Sequence, residues 1–153
     1  MKRVFEIDEI DSVAKELLNA ISIPKDSATV IALSGDLGAG KTTLTQNIAG
    51  VCGINEQVLS PTFVLMRIYK IDEKNSQKIF GFKYEHLIHI DAYRIEKENE
   101  LLTLGWQEML KEKKNLILIE WPEKVSGLIP KNAISVKLKH KGEKTREIEV
   151  SKQ

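Results

Sequence analysis

The apolar residues of this chain fall into distinct patterns, and each pattern predicts a kind of element. Thr29-Val30-Ile31-Ala32-Leu33 and Leu116-Ile117-Leu118-Ile119 are short unbroken apolar runs, as expected for strands buried on both faces of a parallel sheet. Ile10, Val13, Ala14, Leu17, Leu18 and Ile21 recur at helical spacing behind the acidic start Asp8-Glu9-Ile10-Asp11, which predicts an amphipathic helix broken at Ile23-Pro24-Lys25-Asp26. A second helix is expected over Thr43–Ala49, with Gly53 as its stop. Residues 63–71 and 79–90 are extended-prone and read as two strands joined by an exposed turn over the polar stretch 72–78. Residues 99–113 carry Leu101, Leu102, Leu104, Met109 and Leu110, which predicts two short helical pieces split at Gly105. Residues 133–139 and 146–150 flank Lys141-Gly142-Glu143 as a closing antiparallel hairpin.

Composition narrows the class. A chain of 153 residues with 42% hydrophobic content can fill one core, so a single domain over 1–153 is expected, with no repeats, low-complexity segments or linker. No 18-residue apolar run occurs, and Met1-Lys2-Arg3-Val4-Phe5-Glu6 turns acidic before a secretory apolar region can form, so a cytoplasmic protein without a membrane segment is expected. The lone cysteine, Cys52, has no disulfide partner and no metal-ligand spacing, and reads as a packed core thiol. With 23 basic against 22 acidic residues, net charge argues neither for nor against a polyanionic partner. Only the C-terminal hairpin is locally basic, with seven Lys/Arg against three Glu over 131–153. Phosphate contact and a lysine-guarded sheet edge explain that excess about equally well.

Candidate chemistry changes the picture most at Gly35-Asp36-Leu37-Gly38-Ala39-Gly40-Lys41-Thr42, which has the G-x-x-x-x-G-K-S/T spacing of a phosphate-binding P-loop and is followed by Thr43. It lies between the 29–33 strand and the 43–49 helix, the setting such a loop requires. Its glycines let successive backbone N–H groups turn toward an anion, and the helix start adds the positive end of its dipole. Lys41 would then reach the β- and γ-phosphates, and the Thr42 hydroxyl would face Mg²⁺.

Turnover also needs acidic groups and a positioned nucleophile. Two apolar strands end in carboxylates: residues 86–91 in Asp91, which matches a Walker B pattern, and residues 116–120 in Glu120. Ligands of such sheets sit outside the carboxyl ends of the strands, so either acid could serve the metal and the other the attacking water. Ser60-Pro61-Thr62 sits where nucleotide switches keep a γ-phosphate-sensing threonine, with an ordinary proline turn as the competing reading. Arg94 reads as a charge-offsetting group or a solvated surface residue. His89 reads as a structural imidazole, and Trp121 as packing or a cover. No Asn-Lys-x-Asp sequence reads guanine, so ATP is the expected nucleotide.

Taken in order, Gly35–Thr43, Ser60-Pro61-Thr62-Phe63, His89-Ile90-Asp91-Ala92-Tyr93-Arg94 and Glu120-Trp121-Pro122-Glu123 resemble the bacterial TsaE (YjeE) family over nearly the whole chain. The resemblance implies a three-layer α/β P-loop NTPase fold with a mixed, mostly parallel central sheet and a C-terminal antiparallel hairpin. It also implies an ATPase, weak alone, that works with TsaD and TsaB in threonylcarbamoyladenosine modification of tRNA without transferring the group itself. By the same resemblance, Lys41 and the amides of Gly35–Thr43 hold phosphates and Thr42 with Glu120 handles Mg²⁺. Asp91 then supports metal or water, and Thr62 belongs to a switch-like loop. A small-molecule P-loop kinase is the alternative, weakened by the lack of an arginine cluster after residues 99–113. A nucleotide-gated binding module is the third reading.

Overall fold

The computed structural model describes residues 1–152 and folds both kinds of apolar pattern around one seven-stranded sheet. The strands are β1 (Lys2–Glu6), β2 (Thr29–Ser34), β3 (Met66–Lys70), β4 (His86–Asp91), β5 (Asn115–Glu120), β6 (Ile134–His140) and β7 (Thr145–Lys152). The helices are α1 (Ile10–Ala20), α2 (Lys41–Val51), α3 (Glu73–Phe80), α4 (Glu98–Thr103) and α5 (Trp106–Lys111), with 3₁₀ turns at Ile7–Glu9 and Pro122–Leu128. In space the order is β1-β7-β6-β2-β5-β4-β3. The four central strands β6, β2, β5 and β4 run parallel, and antiparallel pairings close both sides: β6–β7 and β7–β1 on one, β4–β3 on the other.

The unbroken runs are central because both of their faces are covered. Ile31, Leu33, Leu116 and Leu118 join Leu17 of α1 and Leu44 and Ile48 of α2 in one core layer. Val30, Ala32, Ile117 and Ile119 join Leu101 of α4, Trp106 of α5 and Val125 in the other. The result is the expected three-layer α/β arrangement, helices on both sides of a mixed sheet. α1 buries Ile10, Val13, Ala14, Leu17 and Leu18 of the predicted stripe, with Ile21 half-buried at its C-cap, and α4 and α5 divide at Gly105, which takes φ 86°. Cys52 is fully buried, which pushes its thiol up to about 12.

Three local expectations fail: the exposed turn over 72–78, the strand over 79–90, which starts only at His86 as β4, and the start of the strand over 63–71. Residues 72–78 are not an exposed turn. Asp72 accepts a hydrogen bond from the Asn75 N–H at 2.9 Å, capping α3, and Gly81 ends that helix at φ 62°. Its polar composition is that of a surface helix, and its cap and stop residues outweigh the strand tendency of Ile79 and Phe80. Strand β3 starts at Met66 rather than Phe63, because the Val64 N–H bonds to Pro61 O in a turn and Leu65 takes φ 64°. β1 was not expected at all: only Phe5 is buried along it, and its backbone is extended because it pairs with β7. Among the described residues no helix is long and apolar enough to cross a membrane.

The basic excess of the hairpin is partly neutralised within the sheet. Lys139 and Lys141 lie 3.7 and 3.5 Å from the carboxylate of Glu147, which is itself buried.

Candidate functional site

The chain crosses from β2 to α2 through residues 35–40, and the backbone there demands glycine. Gly35 has φ 139°, and a Cβ on it would lie 2.3 Å from the Leu138 carbonyl oxygen of β6. Gly38 and Gly40 take φ 76° and 103°. Gly40 is the N-cap of α2, so Lys41, Thr42 and Thr43 form the helix's first turn, whose N–H groups lack partners within the helix. The turn is fixed by the Ala39 N–H to Asp36 O at 3.1 Å and by the Leu44 N–H to Gly40 O at 2.8 Å.

Strand register brings the two acids together. Asp91 and Glu120 are directly paired residues at the carboxyl ends of β4 and β5, and Leu33, at the end of β2, pairs with Glu120. Both carboxylates are nearly sealed from solvent, at 4% and 2% exposure. The Thr42 hydroxyl donates to both oxygens of Glu120, at 2.9 and 3.1 Å. Glu120 Oε1 is also 2.7 Å from His89 Nε2, inside the protein. Asp91 is held differently: its Oδ2 accepts from the Thr62 hydroxyl at 2.7 Å and its Oδ1 from the Tyr93 N–H at 3.0 Å. Each acid thus binds a different threonine, Glu120 the one on the P-loop helix and Asp91 the one on the 60–62 turn.

Lys41 is buried and folds back on its own loop, donating to Gly35 O at 2.6 Å and Asp36 O at 2.9 Å. The indole of Trp121 covers it, 4.0 Å from ammonium to ring centre. Burial lowers the Lys41 ammonium below the ordinary lysine value, against the opposing pull of Glu120, Glu123, Asp91 and Asp36. Trp121 reaches this place from a left-handed backbone, φ 58°, with its N–H bonded to Leu33 O. The other non-glycine residue with positive φ, Leu65, accepts the Asp91 N–H at its carbonyl. Both strained positions therefore secure strand ends beside the acids.

These groups surround an open cleft of about 320 Å³. Of the predicted residues, Leu37, Gly38, Gly40, Lys41, Thr42, Thr43, Thr62, Asp91 and Glu120 line it. Gly35, Asp36 and Ala39 do not; they shape the loop from behind, Ala39 buried and Asp36 offering its carbonyl to Lys41. Ser60, Tyr93 and Trp121 complete the lining. Tyr93 was missed because nothing local distinguishes it from any exposed tyrosine. Arg94 is outside the cleft, its guanidinium 4.8 Å from the ring centre of the exposed Phe63. His89, expected to be a structural imidazole, has Glu120 as its hydrogen-bond partner; its place on the same face as Asp91 was visible in the period-2 pattern, but its partner was not.

The donor set is hard oxygen: a hydroxyl and a carboxylate at Thr42 and Glu120, with a second carboxylate at Asp91. Among the described residues no three His, Cys, Asp or Glu side chains form a cage of their own. That combination fits Mg²⁺ taking most of its ligands from phosphate and water, and it does not fit a metal held wholly by protein.

Comparison with known proteins identifies the family. Residues 5–148 match the family described as "Threonylcarbamoyl adenosine biosynthesis protein TsaE". A Rickettsia prowazekii protein named tRNA threonylcarbamoyladenosine biosynthesis protein TsaE is 40% identical over 111 residues, 72% of this chain and 68% of that protein. The Bacillus subtilis protein of the same name is 34% identical over 146 residues, covering 95% of this chain and 81% of its own. Among solved structures, that of Bacillus subtilis YdiB superposes with a TM-score of 0.72 at 25% identity, spanning 100% of this chain and 86% of the other. A family match across 5–148, relatives of 34–40% identity and a shared fold lead to one conclusion: this chain belongs to the TsaE family.

Proposed function

We propose that this chain is a cytoplasmic, single-domain, Mg²⁺-dependent ATPase of tRNA threonylcarbamoyladenosine biosynthesis, driving the cycle of TsaD and TsaB without transferring the group itself. The observation that carries this reading is the Thr42–Glu120 hydrogen bond, which joins the P-loop helix to the end of the neighbouring strand where a phosphate-bound cation would lie. The amides of Gly35–Thr43 and Lys41 bind the phosphates, and Thr42 and Glu120 hold Mg²⁺. Mg²⁺, when bound, offsets the charge of the β- and γ-phosphates.

Asp91, with Thr62, stands on the other side of the cleft and orients the attacking water. Their hydrogen bond makes the 60–62 turn sensitive to what occupies the cleft, since an acceptor that takes the Thr62 proton must break its bond to Asp91. Lys41 must likewise leave the loop carbonyls to reach a phosphate, exchanging two neutral acceptors for an anionic one. tRNA is met through the complex. The kinase alternative finds no support in the chain beyond α5, where the sequence carries the single arginine Arg146.

The test is steady-state ATP turnover by the purified chain, alone and with TsaD and TsaB, with Mg²⁺ and with EDTA. Stimulation by the partner proteins and loss in EDTA are expected. Turnover unchanged by the partners but raised by a small metabolite would overturn the assignment in favour of a kinase. Glu120→Ala is expected to lower Mg-ATP turnover more than metal-free nucleotide binding, and intact turnover in that variant would remove Glu120 from its role.

A further inference from the structure

His89 is a core residue with an unexplained cost. It is fully buried on β4, and its Nδ1 has no hydrogen-bond partner among the described residues. A buried polar nitrogen without a partner is unfavourable, and packing alone would be better served by an aliphatic side chain such as the paired Leu118 of β5. The ring's other nitrogen, Nε2, is 2.7 Å from Glu120 Oε1. An ionised carboxylate only accepts, so the bond requires a proton on Nε2.

Glu120 therefore accepts from two donors on different elements, the imidazole N–H of β4 and the Thr42 hydroxyl of α2. Because Glu120 cannot donate, the Thr42 proton must point toward it, and the Thr42 lone pairs are left facing away from it. The direction of a hydroxyl on the P-loop helix is thus set by a carboxylate whose own orientation is set by His89. No other protein donor to the Glu120 carboxylate is present among the described residues.

We propose that His89 is a positioning residue for the metal: its Nε2–H fixes the Glu120 carboxylate, which in turn holds the Thr42 hydroxyl with its oxygen free to ligate a cation. This rests on the assignment of Thr42 and Glu120 to Mg²⁺. Partners that orient a metal's ligands typically account for about 10- to 100-fold in metal affinity.

The experiment uses the full chain and reads binding rather than turnover. ADP is titrated calorimetrically in EDTA, and Mg²⁺ is then titrated at saturating ADP, for wild type, His89→Leu and His89→Gln. His89→Leu is expected to raise the Mg²⁺ concentration at half-saturation by about 10- to 100-fold, with metal-free ADP affinity within about twofold of wild type. His89→Gln, whose amide N–H reaches the same oxygen, is expected to recover most of the loss. Unchanged Mg²⁺ affinity in His89→Leu overturns the proposal, as does an equal loss of metal-free ADP affinity or a glutamine variant no better than leucine. If His89→Leu does not fold, His89→Asn replaces it: its shorter amide stays polar but cannot reach Glu120, and parity with His89→Gln overturns the proposal. Wild-type ADP binding that ignores Mg²⁺ would instead overturn the metal assignment itself.

Discussion

Gly35 has no room for a side chain, since a Cβ there meets the Leu138 carbonyl oxygen at 2.3 Å with φ at 139°. Gly35→Ala is expected to cost about 1–3 kcal/mol through backbone strain alone and to weaken nucleotide binding, as β2 and β6 separate. Thermal melts and nucleotide titration check both effects. Lys41 presents the opposite case, a side chain whose partners change with occupancy. Its bonds to Gly35 O and Asp36 O hold the loop closed on itself, and a triphosphate would replace them. Lys41→Ala is expected to weaken ATP binding by at least about tenfold, since a charge-assisted hydrogen bond contributes roughly 1.5–3 kcal/mol. Calorimetric affinity within twofold of wild type would contradict that role.

At the scale of elements, α3 and α2 carry the sharpest expectations. α3 is eight residues long and depends on its ends. Asp72→Ala removes the side chain that accepts the Asn75 N–H and is expected to cost about 1 kcal/mol, a fall in Tm of about 2–4 °C for a chain of this size. α2 contains Gly50, whose added Cβ would meet nothing within 4 Å. Gly50→Ala is therefore expected to stabilise by about 0.4–1 kcal/mol, read as a rise in the denaturant midpoint without loss of nucleotide affinity. α3 was legible in principle, because Asp72 and Gly81 are ordinary cap and stop residues. Its polar stretch was misread because few of its side chains bury and its apolar residues, Ile79 and Phe80, come only at its end. β1 was not legible, because Lys2-Arg3-Val4-Phe5-Glu6 buries a single side chain and owes its extended form to a partner at the other end of the chain.

The whole molecule sets the alkaline limit of the fold. Cys52 and Tyr84 are both fully buried, and burial pushes each up to about 12 from ordinary values of 9.0 and 10.0. In the unfolded chain both groups ionise at those ordinary values, whereas the folded chain keeps them protonated. Their contribution is complete below pH 9 and is lost as pH rises toward 12, with a slope approaching about 1.4 kcal/mol per pH unit for each group. Urea melts at intervals from pH 8 to 11 should show stability falling above pH 9, first through the thiol and then through the phenol. Cys52→Ala should flatten the first part of that fall even though the smaller side chain lowers stability overall. The core layer that buries both groups also packs against β2, β5 and β4, so the same packing that excludes water from Cys52 holds those parallel strands to a common end at the cleft.

By itself the sequence determined the P-loop, the helix behind it, the buried parallel strands and the two carboxylates at strand ends, because each is encoded in a local run of residues whose spacing has one physical solution. Tertiary structure alone decided how those pieces meet. Thr42 and Glu120 are 78 residues apart, Thr62 and Asp91 are 29 apart, and His89 and Glu120 are 31 apart. Which acid faces which threonine depends on the lateral order and register of β2, β5 and β4, and those follow from burying both faces of the sheet at once rather than from any stretch of chain. The same holds for the imidazole of His89: its strand and its face were readable, but the carboxylate it holds belongs to the neighbouring strand.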